Sequence, residues 1–211
     1  MNMSRIYQYK KLLSQYDTIL FDLDGTLYNS ELFYSGAFED MSLWLVKNGL
    51  QERSDSWSDC VMGLKRARGN DYGKLFDDAL EILNIDVRVK TRLLKKYRGH
   101  DCRYLRLDDR ELRLLDYLQG CGKKMFIVTN GQRQLQERKI QKLKLTRYME
   151  EVIILDPSEE IRLKPDRDVF DRLCTRYVIG KTIMVGDRYD IDGMFAHNAG
   201  IDFVGVGFYG N

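Results

Sequence analysis

Proline occurs only twice in 211 residues, and no repeat or low-complexity tract interrupts the chain, which argues against an extended or disordered protein. Hydrophobic residues make up 44% and charged residues 31%, so a packed core is expected. Excess charge is also missing. Thirty-four Lys and Arg against thirty-two Asp and Glu leave a net +2, too little to imply nucleic acid or an anionic membrane as partner. The four cysteines, Cys60, Cys102, Cys121 and Cys174, include no CxxC pair, so a zinc cluster is not indicated and reduced thiols are expected. Met1 to Gln15 lacks the apolar run of a signal peptide. No segment approaches the ~18 apolar residues that a membrane span needs. These absences together predict a cytoplasmic protein, monomer or homodimer, that binds neither nucleic acid nor membrane. The two histidines, His100 and His197, have no acidic neighbour spaced to orient them and read as ordinary surface or helix residues.

Short apolar runs that end in small or polar residues are abundant. Thr18 to Phe21 runs into Asp22-Leu23-Asp24-Gly25-Thr26, and Lys124 to Val128 runs into Thr129-Asn130-Gly131. Val152 to Leu155 and Thr182 to Val185 follow the same grammar, and Phe203 to Val206 adds a fifth candidate strand. Helical patterns fill the gaps. Asp108 and Glu111 form a capping-box-like start for Leu112, Leu115 and Leu118, and further helices are predicted at Gln132 to Leu145, Asp166 to Tyr177 and Gly193 to Ala199. Alternating strand and helix predict an α/β fold, a doubly wound parallel sheet with right-handed crossovers.

About eighty residues between the first strand and the second break that rhythm, where a single crossover needs about a dozen. Residues 31 to 49 carry Ala37, Met41, Trp44 and Leu45 on one helical stripe, and more helices are predicted around Trp57 to Arg66, Lys74 to Leu83 and Val87 to Lys96. The division predicted is a core of residues 1–30 and 105–211 with an inserted all-α helical cap of residues 31–104. Within the cap, Gly63 to Gly73 reads as a loop carrying Lys65, Arg66, Arg68 and Asn70. Its cations, with Lys74, are candidates for a second phosphate or a carboxylate of a substrate, or are simply solvated.

The chemistry concentrates at the predicted strand ends. Asp22 and Asp24 leave one strand two residues apart, and such carboxylates are most easily tolerated beside a divalent cation, Mg²⁺ rather than zinc for an all-oxygen site. Asp187 ends another strand behind Gly186, with Asp190 and Asp192 close by. Lys164 in Leu163-Lys164-Pro165-Asp166 supplies a cation, and Thr129 with Asn130 a hydroxyl, an amide and backbone donors. Carboxylates for a metal with Lys, Thr and backbone donors for oxyanions are what phosphoryl transfer requires. Asp190 also reads as a helix N-cap. Arg133 to Arg147, though basic, reads as a solvated helix face.

In this arrangement the chain resembles the haloacid dehalogenase (HAD) superfamily over nearly its whole length. The resemblance rests on four motifs in order: DxDGT at Asp22 to Thr26, the Thr129 of IVTNG, the Lys164 of LKPD, and VGD with an aspartate five residues on, Asp187 and Asp192. It implies that Asp22 attacks phosphorus, that Asp24 protonates the leaving oxygen and then activates water, and that Thr129 and Lys164 hold the phosphoryl oxygens. Thr26, Asn130 and Gly131 are the implied substrate contacts beside them. Asp187 is implied to bind Mg²⁺ with Asp22 and the backbone carbonyl of Asp24, and Asp192 to orient Lys164 or a metal-bound water. Asp24 separates phosphate chemistry from halide displacement, which needs no proton donor, and it is expected to have a pKa raised by its neighbours. The substrate class implied is a small phosphate ester: a sugar phosphate, a nucleoside monophosphate or a phosphorylated acid. A phosphomutase, or a catalytically idle protein on the same fold, are the rival readings.

Overall fold

The structure, a computed structural model, describes residues 6–53, 55–69 and 72–207. The chain divides into two compact units, Met1–Ser30 with Leu105–Asn211, and Glu31–Tyr104.

The first unit is built on a parallel sheet of five strands, β1 (Thr18–Phe21), β2 (Lys124–Asn130), β3 (Glu151–Leu155), β4 (Thr182–Gly186) and β5 (Asp202–Gly205). Their order is β3-β2-β1-β4-β5, the doubly wound order that the alternating pattern predicts. Every residue of β1 is buried, as expected of a central strand covered on both faces. One face of the sheet packs Leu20, Phe126, Val128 and Met184 against Val169, Phe170 and Leu173 of the helix Asp168–Arg176 and Phe195 of the helix Met194–Ala199.

Register sets the site. Phe21 lies opposite Ile127 of β2 and Val185 of β4, so the next residues of all three strands emerge together at the carboxyl edge. The Asp22 amide continues the pairing to the Val185 carbonyl at 2.9 Å. Strand order reverses at β1, and the crevice outside the carboxyl ends at such a reversal is where open α/β sheets bind ligands.

The capping box at Asp108 is present. Its side chain accepts from the Arg110 amide at 2.9 Å, and Glu111 accepts from the Asp108 amide at 2.7 Å, opening the helix Asp109–Gly120. The helix expected from Asp166 begins at Asp168 instead, because the Asp166 carboxylate accepts the Asp168 amide at 2.9 Å and holds a turn there.

The second unit consists of the helices Glu31–Lys47, Ser56–Arg68, Leu75–Ile82 and Lys90–Gly99. Phe38, Met41, Leu45, Trp57, Val61, Leu80 and Leu93 form its core. Aromatic rings fill the centre: Phe38, Phe76 and Tyr97 lie within 5.8 to 6.2 Å of one another, ring centre to ring centre, Phe38 stacked on Tyr97 and Phe76 edge-on to both. Among the described residues no helix is long and apolar enough to cross a membrane.

Two expectations change in this unit. The stretch from Gly63 is helix as far as Arg68, not loop. Gly63 faces open space, where its missing side chain weakens the helix by ~1 kcal/mol without ending it. Gly69, at φ +92°, is the residue that stops it. Lys65 is consequently buried, with its ammonium 3.8 Å over the Tyr34 ring, whereas Arg66 and Arg68 are exposed on the same helix. Asn70 lies outside the described residues. His100 is the second change: it is buried, and its Nδ1 meets Asp40 at 2.7 Å, an acidic partner sixty positions away that local spacing does not reveal.

Candidate active site

Lys164 is the centre of the site. It is 3% exposed, and its ammonium lies 2.7 Å from Asp22 Oδ1 and 2.6 Å from Asp192 Oδ1. Burial alone drives a lysine toward the neutral amine, but the two carboxylate charges outweigh it and raise the Lys164 pKa, so the ammonium is retained.

Of Asp190 and Asp192, it is Asp192 that meets Lys164. Its second oxygen accepts the Arg188 amide at 3.2 Å, and it is buried within a π-helical turn, Tyr189–Gly193. Asp190 is exposed in the same turn and pairs with the Arg188 guanidinium at 3.2 Å through Nε, so it does not cap a helix as expected. A π-turn re-aims the side chains, which places Asp192 inward and Asp190 outward.

Asp22, Asp187 and Asp192 each bring one carboxylate oxygen within 4.8 Å of the others. Burial, then the charges of Asp192 and Asp24, push the Asp22 pKa up to about 7 against the pull of Lys164. Burial, then the charges of Asp22, Asp192 and Asp24, push Asp187 up to about 8. One lysine among three carboxylates leaves an excess of negative charge, which a hard divalent cation with oxygen ligands fits. Gly25, at φ +77°, is required twice over: its backbone is left-handed, and a Cβ there would overlap the Asp187 carboxylate.

Asp24 departs from expectation. Its carboxylate turns away from this cluster and meets the Lys139 ammonium at 2.7 and 3.0 Å, the Gln136 amide at 2.8 Å and the Tyr28 hydroxyl. Burial favours a raised pKa, but the Lys139 charge and the three donors outweigh it and hold Asp24 below the usual carboxylate range. Sequence spacing pointed to Asp22 as the neighbour that matters for Asp24. The fold supplies a lysine instead. Neither Gln136 nor Lys139 stands in a recognised motif. The signal available was their place on the buried stripe of a helix, beside Leu135, Ile140 and Leu143.

At the end of β2, Thr129 is buried, and its hydroxyl oxygen accepts from Gln136 Nε2 at 2.9 Å. The Asn130 side chain is used structurally. Its Nδ2 donates to the Lys164 carbonyl at 2.9 Å and its Oδ1 accepts the Lys164 amide at 3.0 Å, fastening the lysine loop to β2. The Gly131 amide donates to the Leu155 carbonyl at 3.0 Å, so it is not free for a substrate oxygen as expected. Thr26 Oγ1 is buried without a hydrogen-bond partner among the described residues. Lys65, Arg66 and Arg68 belong to the helical unit, with Lys65 occupied by Tyr34.

The chain is similar to known proteins in sequence and in fold. A glyceraldehyde 3-phosphate phosphatase of Methanocaldococcus jannaschii is 30% identical over 179 residues, spanning 82% of this chain and 77% of that protein. A Pyrococcus abyssi protein of the same name is 28% identical, over 88% of this chain and 79% of its own length. Among solved structures, YfnB from Bacillus subtilis bound to magnesium superposes with a TM-score of 0.66 at 20% identity, covering 89% of this chain and 85% of that one. A HAD phosphatase from Thermococcus onnurineus gives 0.54 at 22% identity, covering 90% and 85%. The model of the haloacid dehalogenase-like hydrolases matches residues 19–206, a span that holds all of the sheet but Thr18 and includes Asp22, Lys164, Asp187 and Asp192, and the chain belongs to that enzyme family.

Proposed function

We propose that this protein is a Mg²⁺-dependent phosphatase of small phosphorylated metabolites, working through an aspartyl-phosphate on Asp22. The observation that carries the reading is the buried Lys164, fixed between Asp22 and Asp192 at the sheet edge beside Asp187. A cation so placed has its charge directed at whatever anion reaches Asp22.

Asp22, Asp187 and the Asp24 backbone carbonyl would hold the ion, which supplies positive charge against the phosphoryl oxygens and the crowded carboxylates. Asp24 rests as the carboxylate and takes a proton from the entering phosphate monoanion; in the first step an Asp22 oxygen forms a bond to phosphorus, the ester P–O bond breaks, and the leaving oxygen takes that proton from Asp24. In the second, a water oxygen bonds to phosphorus as the Asp22 O–P bond breaks, and Asp24 takes the water's proton. Lys164 and the Thr129 hydroxyl stabilise the phosphoryl oxygens in both. Since Gln136 donates to the Thr129 oxygen, the hydroxyl proton of Thr129 is left to point at the substrate.

The relatives' activity makes glyceraldehyde 3-phosphate the first compound to test, followed by other sugar phosphates, nucleoside monophosphates and phosphorylated acids. Phosphate release should require Mg²⁺, stop in chelator and resume when the ion is returned. Trapping should place the phosphoryl group on Asp22. Release at full rate in chelator, or none from any ester with Mg²⁺, overturns the reading.

A further inference from the structure

The helix Arg133–Leu143 turns two polar side chains inward, and the proposed mechanism gives Lys139 no role and Gln136 only the orientation of the Thr129 hydroxyl. Gln136 is 2% exposed and Lys139 5%. A buried ammonium is costly unless a carboxylate meets it. Asp24 meets Lys139, reached at 2.7 Å and 3.0 Å on its two oxygens. Gln136 Nε2 faces the oxygens of Asp24 at 2.8 Å, Thr129 at 2.9 Å and the Asn130 carbonyl at 3.4 Å, a side that only a donor satisfies. Gly131, at φ +153°, leaves the space this amide fills, since a Cβ there would come within 3.0 Å of Nε2. Tyr28 closes the remaining side of the Asp24 carboxylate.

We infer that Gln136 and Lys139 are positioning residues for leaving-group protonation: together they hold the Asp24 carboxylate in one orientation, and Gln136 keys it to Thr129. The inference rests on the reading of Asp24 as proton donor. An aspartate at a strand end has several staggered rotamers open to it, and proton transfer works only within hydrogen-bond reach of the leaving oxygen. A two-point contact from the ammonium and a third from the amide select one rotamer. Because Gln136 also touches Thr129, the group that serves the leaving oxygen and the group that serves the phosphoryl oxygens share a single support.

The dependence of kcat/KM on leaving group separates this role from a merely structural one, because kcat/KM reports the steps through ester cleavage. Alkyl phosphates need a proton on the departing oxygen, and a nitrophenyl phosphate hardly does. In Lys139→Met, alkyl esters should lose about a hundredfold and the nitrophenyl ester about threefold or less. Lys139→Arg should recover part of the alkyl loss. Gln136→Glu, equal in size, sets a carboxylate against Asp24 and should reproduce the same pattern. Once Asp24 is Asn, adding Lys139→Met should cost nothing further, since the lysine acts through Asp24. Equal losses on all esters with a folded variant, or losses that add to those of Asp24→Asn, overturn the inference. Failure of the phosphatase reading looks different: the wild-type protein then releases no phosphate, or Asp22→Asn remains active.

Discussion

Asp22 and Asp24 are separated by one residue, yet the fold places them in opposite fields. Asp22 shares Lys164 with Asp192 and faces Asp187, so negative charge is in excess and two of the carboxylates titrate near neutrality. Asp24 faces its own lysine and two further donors, so its charge is balanced without help. The demand for a cation is confined to one side of the strand end. Equal residue types on one short loop acquire different chemistry from the elements that return to meet them: the loop at Lys164 and the π-turn at Asp192 for the first, the helix after β2 for the second.

Removing the charge on either side breaks this contrast, and the largest effect should come from Asp22→Asn. Turnover should fall by about a thousandfold or more. In chelator at about pH 8 the same variant should melt above the wild type, because the substitution relieves the carboxylate excess. Asp24→Asn should lower kcat/KM on alkyl phosphates by about 10² to 10⁴. On this side no stabilisation should follow, since the buried Lys139 ammonium loses the carboxylate charge that meets it.

A third test uses pH. A carboxyl group whose pKa rises on folding subtracts stability as pH rises, because the unfolded chain releases its proton near 3.8 while the folded one holds it to about 7 at Asp22 and about 8 at Asp187. The metal-free protein should therefore melt lower at about pH 8 than at about pH 5, and Mg²⁺ should raise the melting temperature more at the higher pH. Asp24 has the opposite sign, and its share of stability disappears only on acidification below the usual carboxylate range. Equal Mg²⁺ effects at both pH values would show that the ion does not use these carboxylates.

The smallest effects belong to the helical unit. Lys65→Ala should cost about 1 to 2 kcal/mol through the lost contact with Tyr34 and its buried stem, and Arg66→Ala less than about 0.5 kcal/mol. Both tryptophans, Trp44 and Trp57, lie in this unit, so fluorescence during urea denaturation reads it directly.

The sheet was legible in the chain because each strand is a short apolar run that stops at a small or polar residue, and the ends of those runs carry Asp22, Thr129 and Asp187. Lys164 was legible through its Leu-Lys-Pro-Asp setting. What escaped was of two kinds. Gln136 and Lys139 lie 112 and 115 positions from Asp24, and nothing local marks a polar residue on a helix stripe as a partner rather than a solvated charge. The same holds for His100 and Asp40. The helix through Gly63 was misread for another reason: glycine lowers helix stability without forbidding it, so the stop signal lay at Gly69, where the backbone turns left-handed.

The paired bonds from Asn130 to the Lys164 backbone decouple loop length from loop function. Between Pro157 and Leu163 the chain crosses a mostly exposed stretch with no regular structure. The lysine beyond it is indexed to the end of β2 by an amide that grips its N–H and C=O at once. Insertions or deletions in that stretch can change the surface of the protein while the ammonium stays where it is. A connection pinned at its functional end gives a lineage a place to lengthen, shorten or decorate the chain, and makes Asn130, whose side chain is spent within the protein, the residue on which that freedom depends.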